Sequence, residues 1–158
     1  MIEVEWDDSF SVNIDEIDDQ HKELFVLLAE FDAAIMEHKT NDVVDEVLSR
    51  LVAYTAHHFE QEEELMRAGS YPDIDNHIAQ HRKLVEDIVE FKRRADSGEH
   101  IAYELNHFLR KWLVNHIKHS DSGYAKYLEV GRTHTVAEWK AKVDVKLNPP
   151  KKAWWKFW

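Results

Sequence analysis

Four stretches of this chain repeat apolar residues in steps of three and four, and every stretch carries histidine or carboxylate in phase with its apolar residues. The first runs Ile17, His21, Leu24, Leu28, Phe31, Ile35, and the second Val44, Leu48, Leu51, Thr55, His58, Glu62, Leu65. The third runs Ile74, His77, His81, Leu84, Ile88, Phe91, Ala95, and the fourth Ile101, Leu105, Phe108, Trp112, His116. Such stepping marks the core-facing seam of a packed helix. Glycine and proline punctuate the chain only between the stretches, at Gly69 with Pro72, at Gly98, then at Gly123 and Gly131 after the last, with Pro149-Pro150 cutting off the tail. Short connections make neighbouring helices antiparallel. The expected fold is all-α: an up-down-up-down four-helix bundle over residues 1–130 with an N-terminal arm, then an extension over 131–158. Val136, Trp139, Val143 and Leu147 fit a short C-terminal helix in that extension.

The polar residues in the seams fall at one height. His21 opens the first helix, His58 and Glu62 close the second, His77 and His81 open the third, and His116 with Asp121 closes the fourth. In an antiparallel bundle, start, end, start, end is one end throughout. His58/Glu62 and His77/His81 are each four apart, which returns to nearly the same helix face. Burying five imidazoles and two carboxylates without a cation would cost several kcal/mol or more. These seven residues therefore predict a metal site, and a two-metal one. His38, His57, His100, His107, His119 and His134 lie off the seam or unpaired and are expected on the surface or in loops.

Composition narrows the chemistry. The chain has no cysteine, which excludes disulfides, thiolate zinc and iron–sulfur clusters. A net charge of −11 argues against nucleic acid and anionic membrane as partners of the main body. The opening MIEVEWDD does not have the form of a signal peptide, and no apolar run approaches the ~20 residues needed to cross a bilayer. A soluble, cytoplasmic protein is expected.

The motifs IDEIDDQH, HFEQEE, HIAQH and HIKHSD resemble those of the hemerythrin family, and of the single-domain bacteriohemerythrins in particular. All seven ligand positions of the family are present, and the likeness covers roughly residues 1–130. The resemblance implies two non-haem iron ions with a shared oxide or hydroxide. His77, His81 and His116 would hold one, His21 and His58 the other, and Glu62 and Asp121 would bridge them. Five nitrogens and four carboxylate oxygens make nine donors, and a shared oxygen raises the count to eleven of the twelve that two six-coordinate ions need. One position stays open, on the ion with two histidines, which separates a reactive site from a structural one. The resemblance also places ligand-pocket residues at Leu24, Phe59, Trp112 and Leu113; plain core packing is the other reading of each. A dry apolar pocket suits a small neutral diatomic such as O2.

The function implied is reversible O2 binding for carriage, storage or delivery, by a monomer, without catalysis. The alternatives are a peroxidase or nitric-oxide-scavenging enzyme on the same scaffold, and a module sensing O2, iron or redox state. Ferritin-like di-iron enzymes use four carboxylates and two Glu-x-x-His motifs, whereas here that spacing occurs only at Glu104–His107. His116 and Asp121 are five apart, about 140° round a regular helix. Either a π-type turn or the end of the helix at Ser122-Gly123 could bring them together. The tail, with Lys151, Lys152, Trp154, Trp155, Lys156, Phe157 and Trp158, reads either as a weak anchor to a membrane surface or protein partner, or as aromatics folded back on the bundle.

Overall fold

The seams fold as helices: α1 spans Asp15–Met36, α2 Asn41–Ala68, α3 Ile74–Asp96 and α4 Ala102–Asn115. The computed structural model describes residues 5–131 and Trp139; the rest of the expected C-terminal helix and the Trp/Lys tail lie outside the described residues. Among the described residues all regular structure is helical. α1 packs on α2 and α4, and α2 packs on α3. Phe31, Leu65, Ile88 and Leu105 from the four seams all belong to one buried core, each stabilising the fold by about 1.5–3 kcal/mol. The seams shift in two places. Ala95 is exposed, and in α4 Leu109 and Leu113 are buried while Phe108 and Trp112 are half-buried. No helix among the described residues is long and apolar enough to cross a membrane.

The connections do not all use glycine as expected. After α3, Gly98 takes φ +97°, the left-handed conformation that closes a helix. After α2 that role falls to Ser70, at φ 53°. Gly69 serves space instead: a Cβ there would lie 2.0 Å from a methyl carbon of Leu128.

The fourth helix does not end at Gly123. A π turn spans His116–Asp121, and a further helix, α5, continues over Ser122–Gly131. Gly123 sits inside this continuation, where a Cβ would come 3.4 Å from the Tyr71 hydroxyl. The glycine that reads as a stop is thus a close approach.

Asp18 pins the N-terminal arm to the bundle. Its carboxylate accepts from the Val12 amide at 2.8 Å and the Ser11 hydroxyl at 2.5 Å. Phe10, Val12 and Ile14 are buried beneath it, and Trp6 lies with its ring centroid 6.5 Å from His21. At Trp139 the C-terminal extension meets the bundle as well: the side chain is 1% exposed and its indole N–H donates to the Gln61 carbonyl at 3.1 Å.

Candidate metal centre

All seven polar seam residues converge at one end of the bundle, and each is buried. Their donor atoms form two groups: Glu62, His77, His81 and His116, and then His21, His58, Glu62 and Asp121. Within each group the atoms lie within 4.8 Å of one another, and Glu62 belongs to both. Asp121 also faces both ways. Its Oδ1 is 3.0 Å from His116 Nε2 and 3.3 Å from His77 Nε2, while Oδ2 is 3.1 Å from His21 Nε2. The π turn makes this possible, because one extra residue per turn brings positions five apart onto one face.

Three of the imidazoles are held from behind. His58 Nδ1 lies 2.8 Å from Gln20 Oε1, His81 Nδ1 3.0 Å from Glu63 Oε1, and His116 Nδ1 3.1 Å from Gln80 Oε1. Each partner oxygen accepts, so the proton sits on Nδ1 and the Nε2 lone pair points inward. Gln80 Oε1 also accepts from Ser120 Oγ at 2.5 Å. Tyr124, wholly buried, donates its hydroxyl to Glu62 Oε1 at 2.7 Å.

What remains inside is a set of buried atoms without partners. His21 Nδ1 and Nε2, His77 Nε2, Glu62 Oε2 and both Asp121 oxygens make no hydrogen bond among the described residues. His81 Nε2 and His116 Nε2 lie 3.1 Å apart, close enough for one proton between them. Orphaned buried acceptors are costly, and a cation between them removes that cost. The donors, nitrogen and carboxylate oxygen, suit iron, and no soft sulfur is present. The residues fit such a group.

Charge in the metal-free cluster tells the same story. Burial disfavours the charged form of His21 and of His77, but Asp121 and Glu62 outweigh it and raise both to about 9. Burial acts against charge at His81 too, and Glu62 with Glu63 raises it. Burial pushes His58 down to about 3. Burial also works against the charge of Glu62, yet the surrounding imidazoles hold it well below the usual carboxylate range. Without a metal, protons stand in for it.

Beside the cluster lies a small cavity of about 30 Å³ lined by Leu24, Phe59, Trp112 and Leu113 together with His58 and His116. Its other walls are Leu28, Leu51, Val52, Leu84, Ile88, Leu109 and Thr55, whose hydroxyl is turned onto the Leu51 carbonyl at 2.8 Å. Phe59 stacks flat on His81 at 3.7 Å, and Trp112 on His116 at 4.2 Å. A water needs about 10–15 Å³ of such space, so the cavity admits one diatomic or about two waters.

The remaining histidines among the described residues stay outside: His38, His100, His107 and His119 are exposed and His57 is half-buried. Sequence reasoning missed Gln20, Glu63, Gln80 and Tyr124. The first three each stand next to a seam ligand in the chain, and Tyr124 is one turn past Asp121, which is the signal that could have found them.

The hemerythrin HHE cation binding domain model matches residues 12–128. The chain is 33% identical over 139 residues to a bacteriohemerythrin of Stenotrophomonas maltophilia, covering 85% of this chain and 90% of that protein. It is 34% identical over 120 residues to a myohemerythrin of Theromyzon tessulatum, covering 76% and 89%. A crystal structure of a hemerythrin carrying a leucine-to-tyrosine substitution is similar in fold, with a TM-score of 0.72 and 29% identity, covering 80% of this chain and 97% of that one.

Proposed function

Because this chain belongs to the hemerythrin family, we propose that it binds O2 reversibly at a pair of non-haem iron ions. His77, His81 and His116 would hold one ion, His21 and His58 the other, and Glu62 and Asp121 would be shared. The observation that carries this reading is the pair of donor groups meeting at Glu62 beside a small apolar cavity. Bound iron supplies the open coordination position and the electrons that O2 binding requires.

The protein's own contribution is placement and exclusion. Gln20, Glu63 and Gln80 fix the tautomer and direction of three imidazoles, and Tyr124 steadies Glu62. Leu24, Phe59, Trp112 and Leu113 keep the cavity dry. Among the described residues the cavity has no acid, amine or guanidinium on its walls, and its imidazoles are His58 and His116 of the cluster itself. No wall residue outside the cluster is placed to give or take protons, which favours binding over fast turnover. Residues 1–130 would form the O2-binding bundle and 131–158 an extension attached to it.

The test is a visible spectrum with metal analysis. Protein grown with ample iron should carry two irons per chain, one for each donor group. The reduced form should gain charge-transfer bands in air and lose them when O2 is removed. One zinc and no iron, or colour that O2 removal never reverses, would overturn the reading.

A further inference from the structure

Three tyrosines run from the cluster to the surface, and O2 binding needs only the first. Tyr124 donates to Glu62 at 2.7 Å, and its ring lies 5.5 Å from that of His77. The half-buried Tyr71 follows, its ring centroid 6.4 Å from Tyr124 and edge-on to it. Tyr127 comes next at 5.4 Å from Tyr71; it is 44% exposed, and its hydroxyl donates to the Ser70 carbonyl at 3.3 Å. Both separations are those of aromatic rings in contact. Gly123 lies against this path: a Cβ there would come 3.4 Å from the Tyr71 hydroxyl. A phenol tied to a shared carboxylate, a second beside it and a third in solvent form a continuous series of one-electron donors.

We propose that Tyr124, Tyr71 and Tyr127 carry oxidising equivalents from the loaded cluster to the surface when the protein meets hydrogen peroxide. The proposal rests on the iron reading above. One hydrogen peroxide takes two electrons and two protons to become two waters, and the path delivers the electrons singly. Tyr124 gives up one electron, and its phenolic proton crosses the hydrogen bond to Glu62. Tyr71 then refills Tyr124, whose proton returns from Glu62, while Tyr71 loses its own proton to water. Tyr127 refills Tyr71 in the same way and is left as a neutral phenoxyl radical at the surface. A one-electron donor of the ascorbate class restores it, and the protons released to water balance those consumed with the peroxide.

The nearest competing exit is Trp112, half-buried and stacked on His116 at 4.2 Å, with Trp6 further off at 6.5 Å from His21. Iron-loaded full-length protein is treated with hydrogen peroxide and a nitroso spin trap. Radical yield is read by electron paramagnetic resonance, and the trapped residue is located by mass spectrometry. The adduct should sit on Tyr127. Tyr71→Phe, which keeps the ring at a half-buried position, should lose the Tyr127 adduct while iron content and the O2 spectrum stay unchanged. Tyr127→Phe should move the adduct inward to Tyr71. An adduct on Trp112 in the parent protein, or a Tyr127 adduct undiminished by Tyr71→Phe, overturns the path and leaves the O2 reading standing. Protein that takes up no iron overturns the O2 reading, and the path with it.

Discussion

Glu62 is the residue whose loss should reach furthest. It is fully buried, and its oxygens lie 3.3–3.8 Å from the Nε2 atoms of His21, His58, His77 and His81. A cation in either donor group is therefore within ~4 Å of its charge. Two unit charges at that distance, at the effective dielectric near 20 that suits protein sites, interact by about 4 kcal/mol. At 1.4 kcal/mol per tenfold in affinity, Glu62→Gln should weaken each iron by about three powers of ten. Glutamine is the informative choice, because its carbonyl keeps a neutral oxygen toward Tyr124 while the charge and the second donor oxygen are removed. The assay is competition with a graded series of iron chelators, read as iron retained per chain, with His21→Ala alongside. His21 belongs to one group only, so its loss should free one iron and spare the other. If Glu62→Gln leaves both chelator midpoints unchanged, or shifts only one, Glu62 is not shared and the reasoning fails.

Leu113→Ala should let water into the cavity beside bound O2, speeding autoxidation while iron per chain holds; an unchanged decay of the oxygenated spectrum would leave Leu113 as ordinary packing. In metal-free protein, His21 and His77 are raised from 6.5 to about 9, so their stabilisation is complete below pH 6.5 and lost as pH climbs through 9. Melting temperature should fall across that window, where His58 is neutral in both states; a flat or rising profile would contradict it. Trp139→Ala should cost about 3–5 kcal/mol in urea unfolding, as for a large buried aromatic, and a loss under ~1 kcal/mol would detach the extension from the core. Deleting residues 149–158 should leave the melt unchanged and abolish sedimentation with anionic vesicles or capture of a partner; a lower melting temperature, with no such binding by the intact chain, would make the tail part of the fold.

The bundle and the convergence of the cluster were legible because burial imposes a period on a helix. His21, His58, Glu62, His77 and His81 betray themselves by standing in phase with leucines. Asp121 was legible only as a problem in spacing, with two solutions. The wrong one looked reasonable because Gly123 has the form of a helix stop, while the helix runs on through it as α5. The outer partners were illegible for a similar reason. Gln20 stands beside His21 in the chain but serves His58 across the bundle, and Gln80 stands beside His81 but serves His116. Which ring a side chain reaches is set by how two helices lie against each other, a relation that periodicity within one helix does not contain. Asp18 was lost among exposed acids of the same first turns, since only the folded arm gives it the Val12 amide to bind.

The π turn at His116–Asp121 is also a phase setting for everything that follows it. If the turn relaxed to a regular α-helix with all its residues kept, each downstream side chain would be turned by about 90°. Asp121, Tyr124 and Leu128 would then leave their places together, abandoning the cluster, the hydrogen bond to Glu62 and the seat over Gly69 in one step. Deleting Lys118 or His119 would instead put His116 and Asp121 four apart, the spacing of His58 and Glu62, and keep the downstream phase. Lys118 and His119 are exposed, and a substitution at either would disturb little. The same two positions thus tolerate a change of letter or the loss of one residue, while the extra residue they carry is tolerated only as a π turn.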